Sequence, residues 1–215
     1  ADTITLTSGD NTIDAGDGAN TITATSGNNT ITSGAGVDTV TVTSGNNTID
    51  VGDGANTVTA AWGNNVILGG DGIDTVTTGD GNNIIRVGNG ANTVTTGAGV
   101  DQVYTGVDID TITSGAGDDE IHILGGTDTI TAGAGTDTLF VDFSAAAGAV
   151  TMSALAGTAS AGYAGNISGI GVATFAGVEN FDITSGSFND VITTGDGTDV
   201  VHAGGGNDTV NLAGG

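Results

Sequence analysis

An aliphatic residue recurs at every ninth position through the first two-thirds of the chain. The series runs Ile4, Ile13, Ile22, Ile31, Val40, Ile49, Val58, Ile67, Val76, Ile85, Val94, Val103, Ile112, Ile121, Ile130 and Leu139, without a slip. Its neighbours are mostly polar, very often Thr. That is the alternation of a short strand that sends one side chain inward and its two neighbours outward. Two positions before each aliphatic residue stands Asp or Asn, from Asp2 and Asn11 to Asp128 and Asp137. Gly usually lies two positions earlier still, where a tight turn uses positive φ. A fixed period marks a repeat architecture in which no unit buries its apolar face alone, so neighbours must stack. One strand and one turn make half a coil. Two nine-residue units close one coil of a flattened solenoid, and successive coils pair as parallel strands about 4.7–4.9 Å apart. The predicted fold is all-β: a right-handed parallel β-roll, two short strands and two Gly-rich turns per coil, around a thin aliphatic core.

The phase breaks between Asp137 and Asp190, because their separation of 53 residues is not a multiple of nine. All five Phe fall in or beside this gap, at 140, 143, 175, 181 and 188. The gap predicts irregular strands or larger coils with a small aromatic core. Its stretch Ala145–Gly162 is rich in Ala, Gly and Ser and reads as a loop, with a helix as the weaker alternative. Three segments follow: a β-roll of nonapeptides over 1–141, an insert packed on or continuing the roll over 142–185, and resumed nonapeptides over 186–215. Both termini fall in mid-repeat, which suggests a fragment or a unit whose ends stack on neighbours.

Composition removes several function classes. The 215 residues hold 41 Gly, 25 acidic residues and one basic residue, Arg86, for a net charge of −24. Nothing there attracts nucleic acid or an anionic membrane surface. With no Cys there is no disulfide, Cys–zinc site or Cys nucleophile. No apolar run is long enough to span a bilayer. His122 and His202 lack zinc-site spacing and read as surface residues. Carboxylate pairs simply follow the repeat and single out no catalytic dyad. No nucleophile elbow is present, so the chain reads as non-enzymatic.

The stretch Gly69-Gly-Asp-Gly-Ile-Asp-Thr-Val-Thr77 resembles the calcium-binding nonapeptide of the RTX, or haemolysin-type, parallel β-roll. Ser114–Asp119, Ala132–Asp137, Thr194–Asp199 and Ala203–Asp208 are close variants, and the Gly-Val-Glu-Asn stretch at 177–180 is similar to one found between RTX blocks. The resemblance implies a secreted or cell-surface bacterial protein, exported by type I secretion, that folds on meeting calcium. It also implies ions held between turns on one edge, eighteen residues apart, by Asp side chains and Gly-turn carbonyls. By that rule the best metal positions are Asp101, Asp119 and Asp137, with Gly97, Gly99, Gly115, Gly117, Gly133 and Gly135 ahead of them. Asp190 and Asp208 form another pair, and Asp74 and Asp199 join as single positions. On the edge of Asp38, Asn56, Asp74 and Asn92, acid and amide alternate; Asp110 and Asp128 follow in less regular turns. The early turns ending in Asn11, Asn29, Asn47 and Asn65 read as ladders of amides hydrogen-bonding coil to coil. The molecule is therefore expected to be calcium-light at its start and calcium-dependent towards its end. Two carboxylates about 5 Å apart repel by roughly 3 kcal/mol at an effective dielectric of 20, so stacked acidic turns resist closing without a cation.

The two sheets should differ. One carries Thr on both sides of its aliphatic residue at every rung: Thr21 and Thr23, Thr39 and Thr41, Thr57 and Thr59, Thr75 and Thr77, Thr93 and Thr95, Thr111 and Thr113. This uncharged grid resembles the ice-binding face of β-solenoid antifreeze proteins, although Thr is also simply a good strand residue. The other sheet gathers Val66, Leu68, Ile84, Arg86 and Tyr104, a surface for protein contacts or for cover by the insert. Three roles remain open: a calcium-stabilised surface-layer, adhesin or filament module that associates through its ends or the Leu68/Tyr104 face; an ice binder; or the C-terminal secretion module of a lipase or protease.

Overall fold

A computed structural model describes residues 1–214. Twenty-three strands make two sheets, and no helix occurs among the described residues. A sheet of thirteen strands and one of ten face each other across the core. Up to residue 142, strands alternate between the sheets and pair parallel with the strand one coil away. Ile22 faces Val40, Val40 faces Val58, and Val58 faces Val76 on the threonine sheet. Ile31, Ile49, Ile67 and Ile85 do the same on the other sheet. From Ile22 to Leu139 the periodic aliphatic residues are almost fully buried, while Ile13 is nearly so, Ile4 at the first rung and Val201 are half-buried, and Val210 at the last rung is exposed. A parallel β-solenoid is thus the fold, as the nine-residue period requires.

Stacking leaves no room at the inside corners. A Cβ built on Gly54 or Gly90 would lie 1.6 Å from the carbonyl oxygen of Gly36 or Gly72 in the coil before. Both glycines also have positive φ, +143° and +124°.

The insert corrects two expectations. Ala145–Gly162 is neither loop nor helix as a whole: Thr151–Thr158 is a strand, and Gly162–Ser168 begins the next. These two run antiparallel to each other, and Gly162–Ser168 runs antiparallel to Val172–Val178. Two reversals restore the original direction, so Val172–Val178 pairs parallel with Thr129–Thr131 and Thr151–Thr158 pairs parallel with Val191–Thr193. The insert therefore enters the threonine sheet edge to edge, and does not fold back over the Leu68/Tyr104 face. Phe143, Phe175 and Phe181 fill the space beneath it, fully buried. Phe140 points outward, and Phe188 is 43% exposed. The Tyr163 hydroxyl accepts a 2.8 Å hydrogen bond from the Asp196 backbone and ties the insert to the resumed repeats.

Candidate metal ladders and faces

At each corner from Asn20 to Asp137, and at Asp190, the Asp or Asn side chain turns inward and is buried. Its Oδ1 accepts the backbone N–H of the equivalent residue one coil earlier. On one edge this links Asp2 to Asn20, Asn20 to Asp38, Asp38 to Asn56, and so on through Asp74, Asn92 and Asp110 to Asp128, at 2.7–2.9 Å. On the other it links Asn29, Asn47, Asn65, Asn83, Asp101, Asp119 and Asp137 at 2.7–3.0 Å. This inner ladder is one-directional, each of its N–H groups being satisfied by a side chain of the coil that follows, whereas outer turn amides such as Asn46 and Asn64 donate to the coil before, to Asn28 and Asn46 Oδ1.

The second side-chain atom separates Asn from Asp. In Asn47, Asn65 and Asn83 the Nδ2 donates to the carbonyls of Gly45, Gly63 and Gly81 at 2.8–2.9 Å, and onward to the next ladder Oδ1 at 2.9–3.1 Å. A carboxylate has no proton to give there. The buried Oδ2 atoms of Asp38, Asp74, Asp101, Asp110, Asp119, Asp128, Asp137 and Asp190 have no hydrogen-bond partner. Buried polar groups are ordinarily paired, so a row of orphaned anionic oxygens calls for a cation. Hard oxygen donors of this kind suit calcium. Among the described residues no three acidic or His side chains converge on one point, so the donor set must be completed by turn carbonyls.

The sequence-derived positions fall as follows. Asp101, Asp119 and Asp137 lie on one ladder, as their spacing demands. Asp74 stands on the opposite edge between Asn56 and Asn92. Gly99, Gly115, Gly117, Gly133 and Gly135 have positive φ and Gly97 does not. Asp190 accepts the Val150 N–H at 2.7 Å and donates its own to Asp208 at 3.0 Å. Asp199 accepts from the Phe181 backbone; it and Asp208 are only half-buried. Sequence reasoning passed over Asp110 and Asp128, whose spacing of eighteen already qualified them, and Asp38. It also missed Glu179, whose Oε2 accepts the Asp137 N–H at 2.8 Å and so continues the ladder from outside the nine-residue phase.

Electrostatics agrees with the orphaned oxygens. Burial pushes the carboxyl pKa of Asp74 and Asp119 up to about 6, and of Asp128 and Asp137 up to about 7. Neighbouring carboxylates add to the rise: Asp101 for Asp119, Asp110 for Asp128, Asp119 and Glu179 for Asp137. A group whose folded pKa exceeds its unfolded value stabilises the fold below the unfolded pKa and loses that contribution as pH rises through the folded one. In chelator the melting temperature should accordingly rise as pH falls from 7.5 to 5. Thermal melts monitored by circular dichroism check this; a flat or falling trend contradicts it.

The outer faces differ as expected. On the threonine sheet the Thr pairs stand in register from coil to coil, as in Thr39, Thr57 and Thr75. On the other sheet a column stacks face to face. The Arg86 guanidinium lies 4.1 Å from the Tyr104 ring centre, and Tyr104–His122 and His122–Phe140 are each 4.2 Å apart and nearly parallel. His122 is therefore outward-facing but wedged between rings rather than a free surface residue, and burial pushes its pKa down.

The family profile of the RTX calcium-binding nonapeptide repeat (4 copies) matches residues 5–40, 14–49, 41–76, 68–103, 77–112, 104–139 and 182–215. No curated protein and no solved structure matches the chain. The matched segments cover well over half of the sequence and share the nine-residue frame whose acidic corners are described above; the chain belongs to the RTX calcium-binding nonapeptide-repeat family.

Proposed function

We propose that this calcium-binding β-roll is a scaffold segment of a secreted bacterial surface structure, of the surface-layer, adhesin or filament type. The row of buried, unpaired carboxylate oxygens carries the reading, because it makes the rod's closure depend on an external cation. Asp101, Asp119, Asp137, Asp110, Asp128, Asp38, Asp74 and Asp190 would hold calcium together with the adjoining turn carbonyls. Calcium supplies the positive charge and oxygen coordination that the corners lack. The chain's own residues do the rest: the aliphatic ladder aligns the coils, the Oδ1 atoms fix their spacing, and the sheets present long regular faces. The threonine grid is uncharged on a molecule of net charge −24, which suits side-by-side packing.

The test is electron microscopy of the purified chain before and after addition of millimolar calcium. Ordered sheets or fibres that appear only with calcium are expected. Particles that stay single in calcium, combined with thermal hysteresis that Thr57→Tyr or Thr75→Tyr abolishes, would favour the ice-binding role of the same face.

A further inference from the structure

We infer that the ladder asparagines are built-in replacements for the metal ion, so that each corner's choice of Asn or Asp decides whether it closes alone or waits for calcium. The inference rests on the calcium reading above and goes further, to individual corners.

Asn and Asp are nearly the same shape, and at every ladder position Oδ1 does the same work, accepting the N–H of the coil before. The remaining atom therefore reaches equivalent places in the two residues. In the asparagines it is an N–H donor set against turn carbonyls. Asn20 reaches Gly16, Gly18 and Ser33 at 2.8, 3.3 and 3.1 Å; Asn56 reaches Gly52 at 3.0 Å; Asn92 reaches Gly90 at 2.9 Å. On the other edge Asn29, Asn47, Asn65 and Asn83 reach Gly27, Gly45, Gly63 and Gly81. Carbonyl oxygens that would complete a calcium shell thus already have a hydrogen-bond donor. In the aspartates the same atom is an acceptor without a partner, at eight corners.

Two features of the ladders follow from this exchange. On one edge neutral and charged corners alternate from Asn20 to Asp74, so no buried carboxylate there has another on the adjacent coil. On the other edge the change is abrupt: Asn83 donates from both its backbone N–H and its Nδ2 to Asp101 Oδ1, at 2.7 and 2.9 Å, and from Asp101 onward only acids follow. Asn83 is the last self-closing corner on that side.

Near-isosteric exchange tests this. Asn47→Asp combined with Asn65→Asp should raise the number of calcium ions bound per chain, measured by equilibrium dialysis and atomic emission. It should also lower the melting temperature in chelator and restore it in calcium. Asp119→Asn should do the reverse: fewer ions, and a higher melting temperature in chelator than the parent chain. An unchanged ion count in the double variant overturns the inference. So does a double variant that stays unfolded in millimolar calcium, since an ion should then replace what the amides gave. An Asp119→Asn variant that melts no higher in chelator overturns it too. A parent chain that binds no calcium would instead remove the underlying calcium reading.

Discussion

In excess chelator, amides from about Gly97 to the C-terminal repeats should exchange with deuterium well before those of Asp2–Asn65. In calcium the difference should narrow. The cause is the make-up of the two stretches. Early corners are held by amide ladders, and where a buried acid occurs, at Asp38, its ladder neighbours are the neutral Asn20 and Asn56. Later corners put acid upon acid: Asp101 on Asp119 on Asp137 along one edge, Asp110 on Asp128 along the other. Each adjacent pair opposes closure by roughly 3 kcal/mol at an effective dielectric of 20. Several such pairs exceed much of the 5–15 kcal/mol typical of a whole domain. Exchange mass spectrometry with and without calcium reads this directly, and protection lost evenly along the chain would contradict it.

The second large effect concerns the inside corners. Gly90→Ala and Gly54→Ala should each destabilise the calcium-loaded chain by more than about 3 kcal/mol. The positive φ alone costs a residue with Cβ on the order of 1–3 kcal/mol. The methyl group also meets a backbone carbonyl that cannot swing aside as a side chain would. The coils must part, weakening bonds such as Gly36 N–H to Asp53 O at 2.9 Å, each worth about 1 kcal/mol. Gly148→Ala is the control: nothing lies within 4 Å of its Cβ and its φ is not positive, so the change should stay within about 0.5 kcal/mol. Urea unfolding in calcium distinguishes the two classes; equal midpoints would refute the corner-packing account.

The periodic two-thirds of the molecule were legible because one local rule fixes everything there. Ile22 must face Val40 if the coil holds eighteen residues, and Asp101 must then stand over Asp119. The same rule placed Arg86, Tyr104, His122 and Phe140 in one outward column, but not their stacking, which depends on side-chain rotation about a shared rung spacing. The insert was not legible for a different reason. Small residues around Met152 carry little strand signal, and two reversals of direction leave no period to follow. Glu179 was hidden by its extra methylene and its lost phase: only three-dimensional pairing with Asp137 shows that it serves as a ladder acid.

One property of the ladders bears on how such a chain is made. Because the inner ladder amides, from Asp2 to Asp110 on one edge and from Asn29 to Asp119 on the other, each lean on a carboxylate or carboxamide belonging to the next coil, that fastening points from the amino terminus towards the carboxyl terminus. During synthesis the newest finished coil lacks this inner latch, because the side chain that supplies it belongs to the coil still to come. The last coil to emerge therefore completes the inner ladder of its predecessor.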